Sequence, residues 1–433
     1  MGDNPVAMKL SSISWIAAVL ILGPTLCYPQ QAAPAAPRDT APQTGPQILD
    51  VQGGKIRIVT MATGLFHPWA IAFADANTIL VTERNGALRI IRNGVLAPTP
   101  VWTSPTPSAP PPASAQNQGG QRGGDRLHFV AVHPDFAQNH LVYVSYPKTG
   151  EKGTTLAIAR GFLKGDVLGD VQEIFVADAW ETGGNLAGRV FFGKDKNLYV
   201  TIGDRDRICC NAQQLRPDGS DDNSLRMKSQ ALDNHIGKTL RLRDDGTVPP
   251  DNPFVGKPGA KPEIYTYGHR NGYGLAVNPE TGELWQAEIG PMGGDEVNIL
   301  QPGHNYGWPL VSMGRNYTGT LASDQPFARP GMDNARMFWV PSISPSSIMF
   351  YTGDKFPRWK NNLFVGALTT QQLIRVAFGQ PSQAERREGL LAGMRVRVRD
   401  VQQSPDGYIY VVTEGASGGS ATDGMVLKIE PAD

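Results

Sequence analysis

One pattern, met six times, restricts the fold of this chain more than any other feature. An apolar strand leads into a polar turn built on Pro, Asp, Asn or Gly, and a second strand follows carrying Tyr, Trp or Val. It recurs at WAIAFADANTILVTERNGALRII from Trp69, FVAVHPDFAQNHLVYVSY from Phe129, GRVFFGKDKNLYVTIGD from Gly188, GLAVNPETGELWQAEIG from Gly274 and VQQSPDGYIYVVTE from Val401, with a weaker copy between Ser342 and Phe378. Short alternating strands repeated in this way point to an all-β chain whose units stack around an axis, a β-propeller. A β-sandwich is the alternative, but one sandwich rarely needs about 380 residues.

Composition supports that reading and removes others. The 433 residues include 49 Gly and 35 Pro, which argues against long helices, helical bundles and coiled coils, since both residues weaken a helix interior. Lys plus Arg and Asp plus Glu each number 40, so the chain has no net charge with which to address nucleic acid or an anionic membrane. At 40% hydrophobic residues it can still bury a large core.

The start of the chain reads differently. Met8-Lys9, the apolar run Trp15 to Leu22, and Gly23-Pro24-Thr25-Leu26-Cys27 together resemble a secretory signal over residues 1–27, too short to span a bilayer comfortably. Export to the periplasm or the medium is therefore expected. Lipidation at Cys27 is a lesser alternative, because Thr25 and Leu26 suit that processing poorly. Residues 28–50, rich in Ala, Pro and Gln, read as a tether, and residues 51–433 as a single propeller domain. The Pro- and Gly-rich stretch from Pro98 to Gly124 reads as a long surface loop within it.

A propeller gathers the turns of all its blades around one mouth, so a site is assembled from residues far apart in sequence. Four turns are unusually polar: 201–205 (TIGDR), 267–271 (YGHRN), 288–296 (EIGPMGGDE) and 395–400 (RVRVRD).

At these residues the chain resembles a known family. GHRNGYGLAVNP, EIGPMGGDEVNILQPGHNYGWP, IGKTLRLRDDGTVPPDNPF and RVRDVQQSPDGYIYVVTE are similar to the glucose/sorbosone dehydrogenases. GLFHPWAIAF, VTERNGALRIIRNG and FYTGDKFPRWKNNLFVGAL extend the likeness from about Gly64 to Pro431. The resemblance implies a six-bladed propeller of four-stranded antiparallel blades. It also implies an exported quinoprotein that oxidises an aldose or a related alcohol or aldehyde with pyrroloquinoline quinone (PQQ) and Ca2+. Such an enzyme passes electrons to an external acceptor, and a second copy of the chain is a further candidate partner.

Carried over by position, Arg270 and Asn271 match the pair that contacts the quinone, where an Arg fork suits carboxylate and quinone oxygens. Gly290 and Pro291 match the carbonyls that hold the active-site calcium, a hard ion that takes oxygen ligands. Arg397 and Arg399 match the arginines that neutralise the cofactor's carboxylates, and their alternation puts both on one face of a strand. Glu296 and the carbonyl of Tyr306 match a second calcium site. Read without the family, an Arg or Asp in a β-turn is ordinarily solvated or in a surface pair.

Three positions depart from the family pattern. The general base, a His in His-x-x-Gly-Arg, is replaced by Asn185 in Asn185-Leu186-Ala187-Gly188-Arg189. An amide can hold a hydroxyl but cannot accept a proton near neutral pH. A quinone-contacting Lys is replaced by Thr369. The usual Gly-Leu-Leu-Gly before HPDF reads Arg126-Leu127-His128-Phe129, which introduces His128 as a candidate replacement base with Asp125 beside it. An ordinary His packed at a strand edge is the plainer reading of the same residue.

Cys209 and Cys210 are adjacent, and an oxidising compartment permits a disulfide between them, although neighbouring cysteines close a strained ring. No Cys/His spacing resembles a zinc site. Three functional classes follow: a PQQ- and calcium-dependent dehydrogenase with an altered base, a propeller that binds a sugar or glycan without oxidising it, and a calcium-dependent lactonase-type hydrolase.

Overall fold

A computed structural model describes Met1 and residues 46–106, 126–182, 184–206, 224–379, 385–415 and 420–432. Residues 2–27 of the signal, Cys27 among them, most of the tether, residues 107–124 of the Pro-rich loop, Asp125 and the Cys209-Cys210 pair lie outside the described residues. Thr44–Asp433 forms one compact unit.

The sequence copies become six antiparallel blades, one copy to a blade. Blade 1 holds Pro68–Asp75, Thr78–Glu83, Ala87–Arg92 and Val95–Leu96, with Trp102–Thr103 added beside the third strand. Blade 2 holds Val130–Val132, Leu141–Gly150, Gly153–Lys164 and Val167–Val176. Blade 3 runs through Ala187–Phe192, Leu198–Ile202, Lys238–Leu242 and Ile264–Tyr267. Blade 4 runs through Gly272–Val277, Leu284–Glu288, Asp295–Leu300 and Met337–Trp339. Blade 5 comprises Pro345–Phe350, Leu363–Ala367, Gln372–Ala377 and Arg386–Leu390.

Blade 6 closes the ring with both ends of the chain. Arg397–Gln403, Ile409–Glu414 and Gly424–Ala432 are followed in space by Gly54–Leu65 and then Gln47–Val51, with Lys55 opposite Ala432 and Leu65 opposite Gly424. The outermost of these strands, Gln47–Val51, starts inside the stretch read as tether. In every blade the first strand in sequence, or Arg397–Gln403 in blade 6, is innermost, and each innermost strand touches the next around the ring. A sandwich is thereby excluded.

Six apolar clusters fill the six spaces between blades. Leu80 and Leu88 meet Val142 and Val144 between blades 1 and 2, and Tyr143 and Ile158 meet Val190 and Val200 between blades 2 and 3. Val412 and Val426 meet Ile71 and Val81 where blade 6 returns to blade 1. Sheets covered on both faces explain why the second strands, such as Leu198–Ile202 and Ile409–Glu414, are buried at every position instead of alternating.

Hydroxyl groups tie neighbouring blades near the mouth. Thr82, Ser145 and Thr201 sit on second strands and donate to the carbonyls of His128, Gly188 and Gly272 at the entry to the next blade, at 2.6, 2.6 and 2.7 Å. Below them, Arg189 of blade 3 reaches Asp400 of blade 6 at 2.9 Å, a buried ion pair joining innermost strands on opposite sides of the ring. Asp400 also accepts from the amide of Ile71 in blade 1. Among the described residues, no helix is long and apolar enough to cross a membrane.

Candidate functional site

The entries to the innermost strands and the ends of the second strands meet at one end of the ring, and their polar residues form a continuous network. Its first part is an arginine cradle. Glu414, the last residue of its strand, accepts from His67 Nδ1 at 2.7 Å and from Arg399 Nε at 2.8 Å. Arg397 and Arg84 approach the same carboxylate at 3.5 and 3.6 Å. Burial by itself would raise the Glu414 carboxyl, but Arg399, the His67 hydrogen bond, Arg84 and Arg397 hold it well below the usual carboxylate range. Arg397 shows the opposite side of that balance. Burial first, and the like charge of Arg399 second, pull it down to about 10.

Trp69 links this cradle to the next part. Arg399 lies over the indole, its guanidinium carbon 4.6 Å from the ring centroid, and the imidazole of His128 stacks on the indole at 4.7 Å and 4°. His128 is buried, and its Nδ1 sits 2.9 Å from the carbonyl oxygen of Ala187. A carbonyl only accepts, so Nδ1 carries the proton, and in the neutral ring Nε2 is the proton-accepting nitrogen.

Ala187 follows Asn185 by two residues. Asn185 Nδ2 donates to Asp204 Oδ1 at 2.9 Å, and Trp308 Nε1 donates to Asp204 Oδ2 at 2.8 Å. Asp204 is fully buried, and burial followed by the charge of Asp206 pushes its carboxyl up to about 6. Asp206 is in turn paired with the buried Arg226 at 3.0 Å. Arg226 and Arg270 both lie over the Trp308 indole.

Arg270 carries the network into blade 4. Its carbonyl accepts from the amide of Asp204 at 2.7 Å, and its own amide donates to Glu288 at 2.7 Å. Nη1 donates to the carbonyls of Ile289 and Gly290 at 2.8 and 2.7 Å. The neighbouring Asn271 is buried, and its Oδ1 has no hydrogen-bond partner among the described residues. Asp295 then joins two loops: Oδ1 accepts from Gly290 N, while Oδ2 accepts from the amides of Ile343 and Ser344. Ser344 Oγ reaches Thr369 Oγ1 at 2.7 Å.

Beside Arg270 a small cavity is lined by Glu288, Gly290, Glu296, Tyr306 and Trp308. Glu288 and Glu296 are direct neighbours across two strands and share the amide of Asn298. Removal from water, and then the Glu288 charge, push Glu296 up to about 8, so the two carboxylates resist ionising together without a cation. Among the described residues, no group of three or more His, Cys, Asp or Glu could hold a metal. A cation here would also depend on backbone oxygens.

The structure thus brings Asn185, His128, Arg270, Asn271, Gly290, Arg397 and Arg399 into one contact network. Thr369 joins through Ser344 and Asp295, Pro291 follows Gly290 in the chain, and Glu296 and Tyr306 line the adjoining cavity. Sequence reading missed Glu414, His67, Trp69, Trp308 and Arg226. Glu414 was detectable, since VVTE in blade 6 repeats the VTE that ends at Glu83 in blade 1. Trp308 and Arg226 carry no such signal, because their segments follow no blade pattern.

Known proteins match this chain over most of its length. A family model described as Glucose / Sorbosone dehydrogenase matches residues 65–422. Aldose sugar dehydrogenase YliI of Escherichia coli (strain K12) is 35% identical over 383 residues, covering 87% of this chain and 93% of that protein. Quinoprotein glucose dehydrogenase B of Acinetobacter calcoaceticus is 27% identical over 450 residues, 89% of this chain and 91% of that one. The solved PQQ-bound form of an aldose sugar dehydrogenase from Streptomyces coelicolor superposes with a TM-score of 0.62 at 25% identity, over 90% of this chain and 99% of that one.

Proposed function

The chain belongs to the glucose/sorbosone dehydrogenase family, and from that premise we propose that it is an exported quinoprotein oxidising an aldose sugar, or a related alcohol or aldehyde, with PQQ and Ca2+. The observation that carries the cofactor reading is the arginine cradle, in which Arg397 and Arg399 share the single carboxylate of Glu414. A small polycarboxylate would offer these two guanidinium groups further acceptors, and charge-assisted Arg–carboxylate bonds are the strong ones. The buried Oδ1 of Asn271, unpartnered among the described residues, fits a ligand hydrogen-bond donor.

Bound there, PQQ would supply an ortho-quinone that takes up a hydride from the sugar, and the electrons would leave to an external acceptor. The remaining work falls to the chain. Arg397 and Arg399 anchor carboxylates, while Arg270 and Asn271 orient the polar edge of the ligand. Thr369 brings a hydroxyl where the family has a cation, so charge compensation rests on the arginines. The carbonyls of Gly290 and Pro291 would hold calcium. Gly290 O already accepts from Arg270, and a carbonyl oxygen keeps a second lone pair for a metal. Glu296 and the carbonyl of Tyr306 would serve a second calcium ion.

The substrate hydroxyl must lose its proton as hydride leaves the same carbon. Asn185 cannot take it. With Nδ2 committed to Asp204, its amide oxygen is the atom left to accept a hydrogen bond from the sugar. His128 Nε2 is the proton acceptor assigned here, in the tautomer set by Ala187 O.

Dye-linked oxidation across a panel of aldoses, with PQQ and calcium added to purified protein, tests the reading. Turnover that is lost in His128→Ala supports it, and no turnover on any aldose, alcohol or aldehyde contradicts it. The second reading, a propeller that binds sugar without oxidising it, rests on Asn185 alone and predicts PQQ or sugar binding with no turnover.

A further inference from the structure

Lys238 opens the third strand of blade 3, and its side chain is fully buried. Nζ donates to the carbonyls of Lys228, Ser229 and Ile236 at 3.1, 3.0 and 2.5 Å. Burial pulls the amine down to about 7, against the charge of Asp233. Carbonyls only accept, so the arrangement suits the ammonium, which has one N–H for each of the three. A charge held inside is costly, and an apolar side chain of the same length would avoid that cost.

Two of the carbonyls it holds belong to the stretch that seats Trp308. Two residues before Lys228, Arg226 lies over the Trp308 indole at 5.3 Å and donates to Asn316 at 2.6 Å. Ser229 O also accepts from the amide of Gly268 at 3.0 Å, and Gly268 O accepts from the amide of Trp308 at 2.9 Å. Gln230, the next residue, donates to the carbonyl of Trp308 at 2.7 Å and exchanges side-chain bonds with Asn305. The ring, amide and carbonyl of Trp308 are thus each reached from residues 226–230. Its Nε1 donates to Asp204, the acceptor for Asn185.

We infer that Lys238 is a positioning residue: by gripping the turn at Lys228 and Ser229, it seats Trp308 so that the indole N–H meets Asp204 behind Asn185. Its bearing on catalysis rests on the reading of the mouth given above, whereas the contact itself does not. Close packing holds the other side of the turn, since a Cβ on Gly237 would overlap Ser229 Oγ. Without the ammonium, the carbonyls of Lys228 and Ser229 each lose a buried donor, and the turn shifts to recover one.

The test is the indole N–H spectrum of the full chain carrying 15N-labelled tryptophan. It is recorded between the values of Asp204, about 6, and Lys238, about 7, so that both are mostly charged. The Trp308 signal is identified by its loss in Trp308→Phe, and Asp204→Asn marks where it falls without a carboxylate acceptor. Lys238→Met keeps the length and removes the donors. Its Trp308 signal is expected to move most of the way toward the Asp204→Asn position while the remaining indole signals stay. A general loss of stability would leave the folded-state signal in place. Ser229→Ala is the control, because Ser229 Oγ has no partner among the described residues and its removal cuts no tie to Trp308. An unmoved Trp308 signal in Lys238→Met, or an equal move in Ser229→Ala, overturns the assignment. Should Lys238→Met not fold, Gln230→Leu cuts the tie between the turn and Trp308, and an unmoved signal there overturns it. PQQ titrated into the same samples separates the two readings. The predicted move, in a chain whose wild type binds no PQQ, supports the positioning and sinks the cofactor reading.

Discussion

Asn185 donates a hydrogen bond from Nδ2 to Oδ1 of the buried Asp204 at 2.9 Å. A carboxylate stands directly behind the position that the resemblance matches to the family's base, and it would orient an imidazole as readily as it orients this amide. Asn185→His should therefore create a His–carboxylate pair without rebuilding the site. Introduced into the His128→Ala variant, it is expected to recover kcat for dye-linked aldose oxidation by at least about 100-fold, the lower range for a positioned general base. No recovery would mean that Asp204 does not position a working base at 185.

Asp204 also gives a pH dependence of known sign. Burial and then Asp206 raise its carboxyl from 3.8 to about 6. A group that binds its proton more tightly when folded favours the fold in acid, and the penalty accumulates as pH rises from the unfolded to the folded value. Urea unfolding of wild type against Asp204→Asn, at pH 4 and pH 7.5, should show the difference moving against wild type by on the order of 3 kcal/mol. A difference independent of pH would contradict this environment for Asp204.

Arg189 and Asp400 make a separate structural prediction. Their side chains are 5% and 0% exposed, and Arg189 is the cation facing Asp400 across the ring. Arg189→Met leaves that carboxylate buried without its counter-ion, at an expected cost of about 3–5 kcal/mol in urea unfolding. A loss below about 1 kcal/mol would show that water reaches Asp400.

How much of this was legible beforehand depends on distance along the chain. The blades were, because each strand–turn–strand copy is local and covered on both faces. Arg397 and Arg399 were too, since two-residue alternation fixes a shared face, and both do reach Glu414. The pairing of Arg189 with Asp400 was not, because it requires knowing that blades 3 and 6 face each other across 211 residues. Trp69 starts one of the repeated strand copies, and nothing local marks it as the surface on which Arg399 and His128 both rest. Trp308 finds Asp204 through an irregular segment with no period to read.

The cradle predicts which cations matter for the ligand. Arg399→Ala removes the closest guanidinium on Glu414 and should raise the Kd for PQQ by roughly 10- to 100-fold, the scale of a charge-assisted hydrogen bond. Arg375 is the control. It is equally buried but pairs with Glu388 and Asn362 in blade 5, away from the mouth, so Arg375→Ala should leave the Kd unchanged.

The most direct measurement is a titration of PQQ into the purified full chain in calcium, followed by absorbance and tryptophan fluorescence. Trp69 beneath Arg399 makes the protein its own reporter. The predicted result is saturable one-to-one binding at micromolar PQQ or below, weakened by added salt and by Arg399→Ala. Absence of binding at micromolar PQQ, or binding indifferent to Arg397 and Arg399, would contradict the assignment of this mouth as a quinone cofactor site.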